Sequence, residues 1–214
     1  RPEEPADGLP ALPPDVERRI AELRVRYGVA FERRLGTRSA LQNYEYLDWL
    51  DAAFAAWQLD PPRPRELHDV GCGGFAYAAA LHGYFAPARL LGIDVEGHRR
   101  LRGGVNRRER VLGHLADLPA AEFVVACAWR LPLSLLRPAE LFGAVRASLE
   151  SAGRLFMVNQ SSDEHRVAAE FARAAGLARV AVLERSRVVP AAPEMPRVVL
   201  SLWTSVSSPA PAQS

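Results

Sequence analysis

Lysine is absent from this chain: all 27 basic residues among its 214 are arginine. A lysine nucleophile or Schiff base is therefore excluded. With the abundance of Ala, Leu, Pro and Gly, the same bias points to a GC-rich, bacterial genome. Cysteine is nearly absent too, and Cys72 and Cys127 alone build no disulfide framework. Both read as small buried residues of a protein kept in a reducing cytosol, so a cytoplasmic location is expected. No apolar run approaches the ~20 residues needed to span a bilayer, and no membrane association is expected. The first residues, Arg1-Pro2-Glu3-Glu4-Pro5, lack the charged-then-apolar layout of a secretory signal and, without an initial Met, read as a trimmed end. The five histidines, His68, His82, His98, His114 and His165, show no ligand spacing, so no metal is expected.

What remains is the composition of a globular protein, 49% hydrophobic and 24% charged, with a net charge of only +2. Its length suits one domain with a small appendage. Residues 1–14 are rich in Pro and acids. Asp15 reads as the N-cap of a first helix with Val16, Ile20, Leu23 and Tyr27 on its apolar side. A second helix is expected over 38–59, where Leu41, Tyr44, Leu47, Leu50, Phe54 and Trp57 make one apolar face. Pro61-Pro62-Arg63-Pro64 then breaks the chain. Beyond it strands and helices alternate, which implies a mainly parallel sheet. Strands are expected at 66–70, 89–94, 122–127, 154–159, 178–188 and 196–204. Helices are expected at 75–85, from Glu96, at 138–151 and at 163–175. The last two strands have no helix between them and read as an antiparallel pair. The division is a helical extension over 1–64, an α/β core over 65–206 and a tail over 207–214.

The stretch that carries chemistry is His68-Asp69-Val70-Gly71-Cys72-Gly73-Gly74-Phe75-Ala76, followed by Leu90-Leu91-Gly92-Ile93-Asp94. It reads as strand, glycine turn, helix and a second strand ending in a carboxylate. Such a layout holds a nucleoside: glycines admit close approach of the backbone, and the acid accepts hydrogen bonds from ribose hydroxyls. Asp94 stands 94 − 73 = 21 positions beyond Gly73, against about 20 in dinucleotide-binding folds. Asp69 separates the candidates. A carboxylate beside the turn suits a cofactor with an ammonium and a sulfonium and repels a pyrophosphate. The absence of any lysine also removes a Tyr-x-x-x-Lys pair, so an NAD-linked oxidoreductase is disfavoured.

The Asp-x-Gly-x-Gly run resembles the first motif of class I S-adenosylmethionine-dependent methyltransferases. Leu149-Glu150-Ser151-Ala152-Gly153-Arg154-Leu155 resembles that family's entry to its fifth strand, and Ala174-Ala175-Gly176-Leu177 the turn before its sixth. The resemblance covers roughly residues 66–205. It implies a three-layer Rossmann-like sheet, mostly parallel with a C-terminal antiparallel strand pair, to which this chain adds the N-terminal helical extension. It implies S-adenosyl-L-methionine as cofactor, held by Asp69, Gly71, Cys72, Gly73, Asp94, Val95, His114 and Asp117. The segment 111–119 fits the family's third-strand and turn layout with His114 in place of an acid; alternatively it is helical and 122–127 is the third strand. Phe75 departs from the family's third glycine.

On the substrate side, Trp129 offers a ring for stacking, and Asn159 and Gln160 sit where such sheets bind ligands. Asn159 either orients an acceptor or caps the next turn. The arginine run from Arg99 to Arg110 reads as a solvated helix-and-loop face; net charge and the lack of interleaved aromatics disfavour nucleic acid. The resemblance implies a methyltransferase acting on a small molecule. The alternative is an inactive scaffold or partner subunit of the same fold.

Overall fold

The computed structural model describes residues 12–28, 37–72, 77–94, 107–111, 120–128, 138–187 and 197–206. Seven strands form one sheet: β1 (Glu66–Val70), β2 (Arg89–Asp94), β3 (Arg107–Val111), β4 (Ala121–Ala128), β5 (Leu149–Asn159), β6 (Leu177–Ser186) and β7 (Arg197–Ser205). Their order is β3-β2-β1-β4-β5-β7-β6. The first five are parallel to one another, and β7 runs antiparallel to both neighbours. The expected three-layer, mostly parallel sheet with a terminal antiparallel pair is therefore present.

Among the described residues five helices cover the sheet: α1 (Pro14–Tyr27), α2 (Thr37–Trp57), α3 (Ala78–Phe85), α4 (Pro138–Ser148) and α5 (Ser162–Ala174). Strand alternation divides the core in two. Leu67, Leu90, Phe123, Val125, Phe156, Val158 and Leu200 point to one face, where they pack with residues of α1, α2 and α3. Val70, Leu91, Val124, Leu155, Met157 and Trp203 point to the other, against α4 and α5. The N-terminal helices thus share the core of the sheet.

Three expectations are corrected. The first concerns Asp15, which is not the cap of α1: Pro13 is, without a side-chain bond, and Asp15 lies in the first turn, where a carboxylate suits the helix dipole. Second, β3 emerges from the arginine run that reads as helix and loop. Arg-Arg-Glu-Arg-Val has no apolar alternation, and its strand pairing with β2 comes from backbone register. A charged strand at a sheet edge discourages pairing with another chain. With β3 placed there, 122–127 belongs to the fourth strand. The third correction is to α2, which is buried over all of residues 43–50 instead of along one face. It lies between the sheet and its helical neighbours, and the polar residues on its flanks meet buried partners. The helix expected from Glu96 lies outside the described residues.

Candidate functional site

The strand order reverses its direction of growth between β1 and β4, because β2 and β3 extend one way and β5 the other. Crossovers on opposite sides of that point leave a crevice beyond the C-terminal strand ends, where open α/β sheets bind ligands. Several expected site residues gather there. Asp69 is 2% exposed and opposes Gly92 of β2 and Val125 of β4. Alternation sends its side chain to the face covered by α2. Gly71 follows with φ +77, a left-handed conformation that glycine adopts without strain. Cys72 is half-buried against the same core, less enclosed than the sequence suggests. Val70 pairs with Ile93, so Asp94, the next residue and the end of β2, comes level with Gly71. The two acidic positions are thus brought to one corner of the sheet. Gly73, Phe75, Val95, His114, Asp117 and Trp129 lie outside the described residues, as does His98.

At the end of β5, Asn159 is fully buried and Gln160 is 5% exposed. Asn159 does not cap the following turn. Ser161 caps α5, its Oγ accepting from the Glu164 backbone N–H at 3.1 Å, while the Glu164 carboxylate accepts from the Gln160 backbone N–H. The pair is a variant of a capping box in which the carboxylate reaches one residue further back, to the N–H of the residue before the cap. The Asn159 side chain turns instead to α5, where its Oδ1 lies 3.0 Å from His165 Nδ1. Neither amide atom of Gln160 has a hydrogen-bond partner.

Among the described histidines, His68 stands apart from this edge. His68 is fully buried on the opposite face from Asp69, with Nε2 3.2 Å from Glu66 Oε1. Burial pushes its imidazole below the ordinary value, against the pull of Glu66. His165 is also lowered, by burial first and then by Arg179 and Arg173.

Helix α2 contributes residues that the sequence reading missed. Asn43 Oδ1 accepts from the Ala80 backbone N–H at 3.0 Å, which supplies the first turn of α3 with a bond that its own cap position, Tyr77, does not make. Tyr46 stacks on Tyr77 with ring centres 4.6 Å apart. Trp49 lies 5.7 Å from Tyr46, and the Arg187 guanidinium sits over its ring at 5.5 Å. Asp48, 1% exposed, accepts two bonds from Arg185 at 2.7 and 2.9 Å and one from Arg19 at 2.7 Å. Their one signal in the sequence is the polar set Asn43, Glu45 and Asp48 interleaved with Tyr44, Tyr46, Leu47, Trp49 and Leu50.

A cleft of about 370 Å³ lies at the opposite end of the strands, lined by Pro62, Arg63, Glu122, Gly153 and Arg154 among others. Its polar groups already serve the fold: Glu122 accepts from the Arg65 backbone N–H at 2.8 Å, and Arg154 donates to Thr204 Oγ1 at 2.9 Å. Among the described residues no group of His, Cys, Asp and Glu has the grouping of a metal site. No described helix is long and apolar enough to cross a membrane.

No protein-family model matches the chain, and no curated protein matches it. Solved structures do. An S-adenosylmethionine-dependent methyltransferase from Clostridium acetobutylicum aligns over 89% of this chain and 99% of its own, with TM-score 0.53 and 8% identity. The ribosomal protein L11 methylase from Lactobacillus delbrueckii subsp. bulgaricus aligns over 75% and 78%, with TM-score 0.53 and 15% identity. A TehB-like SAM-dependent methyltransferase from Corynebacterium glutamicum aligns over 77% and 98%, with TM-score 0.50 and 14% identity. At these identities the likeness is one of fold: the chain has the class I methyltransferase fold.

Proposed function

We propose that this protein is an S-adenosylmethionine-dependent methyltransferase acting on a small molecule. The observation that carries the reading is the corner where β1 and β2 end. Buried Asp69, left-handed Gly71 and strand-ending Asp94 meet there, at the reversal point of the strand order. These residues fit the cofactor. A carboxylate withdrawn from water favours a cation nearby, and a pyrophosphate in its place would be repelled. In this reading Asp69 holds the ammonium end, and Gly71, Cys72 and Gly73 bring backbone against it. Asp94 accepts from the ribose hydroxyls, with Val95, His114 and Asp117 around the adenine.

When bound, the cofactor supplies a methyl group already activated by its sulfonium. The chain's own residues therefore have to bind, orient and exclude water, and no fixed catalytic triad is required. Asn159, Gln160 and Trp129 are the acceptor-side candidates. Asn159 acts with His165, which fixes its amide.

Titration calorimetry with S-adenosylhomocysteine tests the assignment. Asp94→Ala removes charge-assisted hydrogen bonds of about 1.5–3 kcal/mol, a weakening of about 10–100-fold, with an unchanged circular dichroism spectrum. Full affinity in that variant would refute the ribose role.

A further inference from the structure

The cleft of about 370 Å³ at the strand starts lies at the far edge of the sheet from the β1–β2 corner, and the cofactor assignment makes no use of it. Its origin is a break in register. β4 advances two positions, from Ala121 to Phe123, while its partner β5 advances five, from Leu149 to Arg154. The three extra residues throw the start of β5 out of line, as bulges do beside ligand sites. Ala152 and Gly153 line the cleft there and are small enough to leave the space open. Pro62 and Pro64 form a stiff wall from the segment before β1. The volume falls within the range of small-molecule pockets, about 300–1,000 Å³.

Two guanidinium groups line this space, and neither has a carboxylate partner among the described residues. Arg63 Nη1 donates to the Tyr84 backbone oxygen in the last turn of α3. Carbonyls there lack partners within the helix and favour a cation. Arg154 Nη1 donates to the backbone oxygens of Ala152 and Gly153 at 3.0 and 3.2 Å and to Thr204 Oγ1 at 2.9 Å. Glu122, the carboxylate of the cleft, is taken up by Arg65: it accepts from the backbone N–H at 2.8 Å and lies 3.8 Å from Nε. Arg63 and Arg154 are thus each anchored through one nitrogen to neutral oxygens, which hold the side chain and leave its charge unneutralised. Nε and Nη2 of each remain as a planar fork, the donor pair that matches two oxygens of an anion.

We propose that Arg63 and Arg154 form a binding site for a small phosphate monoester, separate from the cofactor corner. Two forks carry two positive charges. A phosphate monoester brings nearly two negative ones on three terminal oxygens, where a sulfate ester or a carboxylate brings one. Its organic part has the proline wall to lie against. The site goes beyond the methyltransferase reading and stands whichever ligand fills the β1–β2 corner.

The probe is phenyl phosphate, titrated calorimetrically into the full chain at about pH 7.5, where the ester is a dianion. Phenyl sulfate, of the same shape with one charge, and benzoate serve as controls. Saturable binding of the phosphate at about 0.15 M salt is expected, at least about tenfold tighter than either control. Arg63→Gln and Arg154→Gln should each weaken it about tenfold or more, since each removes a charge-assisted fork. Arg154→Lys, which keeps the charge and loses the fork, should fall between. Arg63 is exposed, so Arg63→Gln decides the matter should Arg154→Gln fail to fold. Saturating S-adenosylhomocysteine should leave the phosphate affinity unchanged.

Absence of saturable phosphate binding would overturn the proposal, and so would sulfate or benzoate binding as tightly as the phosphate. An affinity unmoved by Arg63→Gln, or one abolished by S-adenosylhomocysteine, would place the phosphate elsewhere and refute this site. Phosphate binding that depends on both arginines, in a protein without affinity for S-adenosylhomocysteine, would sustain the site and remove the methyltransferase reading.

Discussion

His68 shows how a single residue can stand inside a motif and serve the fold. It precedes the acid of the Asp-x-Gly-x-Gly run, yet strand alternation sends it to the opposite face, where it is fully buried beside Glu66. Its imidazole is lowered chiefly by burial, and that of His165 likewise. A histidine that is harder to protonate when folded lets the unfolded chain bind more protons, so stability rises with pH in the window below 6.5, its ordinary value. The melting temperature should therefore hold level above about pH 7 and fall as pH drops through about 6.5. The His68 ring resonance, followed by NMR, should titrate below 6.5. A midpoint above that value would contradict the burial argument. Asp69, Gly71 and Asp94 were legible in the sequence because glycine spacing and a strand-ending acid are local signals. Tyr46, Trp49 and Arg187 were not: they meet across 138 positions of chain, and no local spacing encodes such a contact.

Among the elements, α2 carries more of the architecture than its apolar periodicity suggests. Asn43 completes the first turn of α3, and Asp48 joins α2 to α1 through Arg19 and to β6 through Arg185. Asn43→Ala leaves a buried helix-end donor unsatisfied and should cost about 1–2 kcal/mol. Asp48→Ala removes the carboxylate that Arg185 bonds twice, while Arg19 keeps Asp51 and Glu22. It should cost about 3 kcal/mol, a fall of roughly 6–12 °C in a thermal melt of a chain this size. A shift of a degree or less would show that solvent screens the cluster. The strands with apolar alternation and the helices with a 3.6-residue period were readable within a few residues of their ends, except that Leu149–Ser151, read as the end of a helix, opens β5. Strand β3 was hidden because its five residues, Arg-Arg-Glu-Arg-Val, carry no apolar signal and gain their conformation from pairing with β2. Burial of α2 on several sides was hidden for a related reason: a helix placed between layers can bury polar residues wherever their partners come from distant elements.

Across the whole molecule, the helices before β1 close one face of the sheet. Ile20, Leu23, Tyr44, Leu47, Leu50 and Phe54 belong to the same apolar cluster as Leu67, Phe123, Phe156 and Leu200. We therefore propose that the N-terminal segment is required for folding and not only appended to it. A chain beginning at Arg65 should lose cooperative thermal unfolding and expose apolar surface to a dye such as ANS. A sharp melt in that truncated chain would mark the helices as a separable unit. The seven-strand order also brings the described candidates Asp69, Gly71, Cys72, Asp94, Asn159 and Gln160 to one edge of the sheet. The identity of the cofactor is then a question of charge at that edge, since a dinucleotide and a methyl donor both carry adenosine. Side-by-side calorimetric titrations with S-adenosylhomocysteine and NAD decide it. Buried Asp69 predicts saturable heat with the first and none with the second. Heat with NAD and none with S-adenosylhomocysteine would contradict the account.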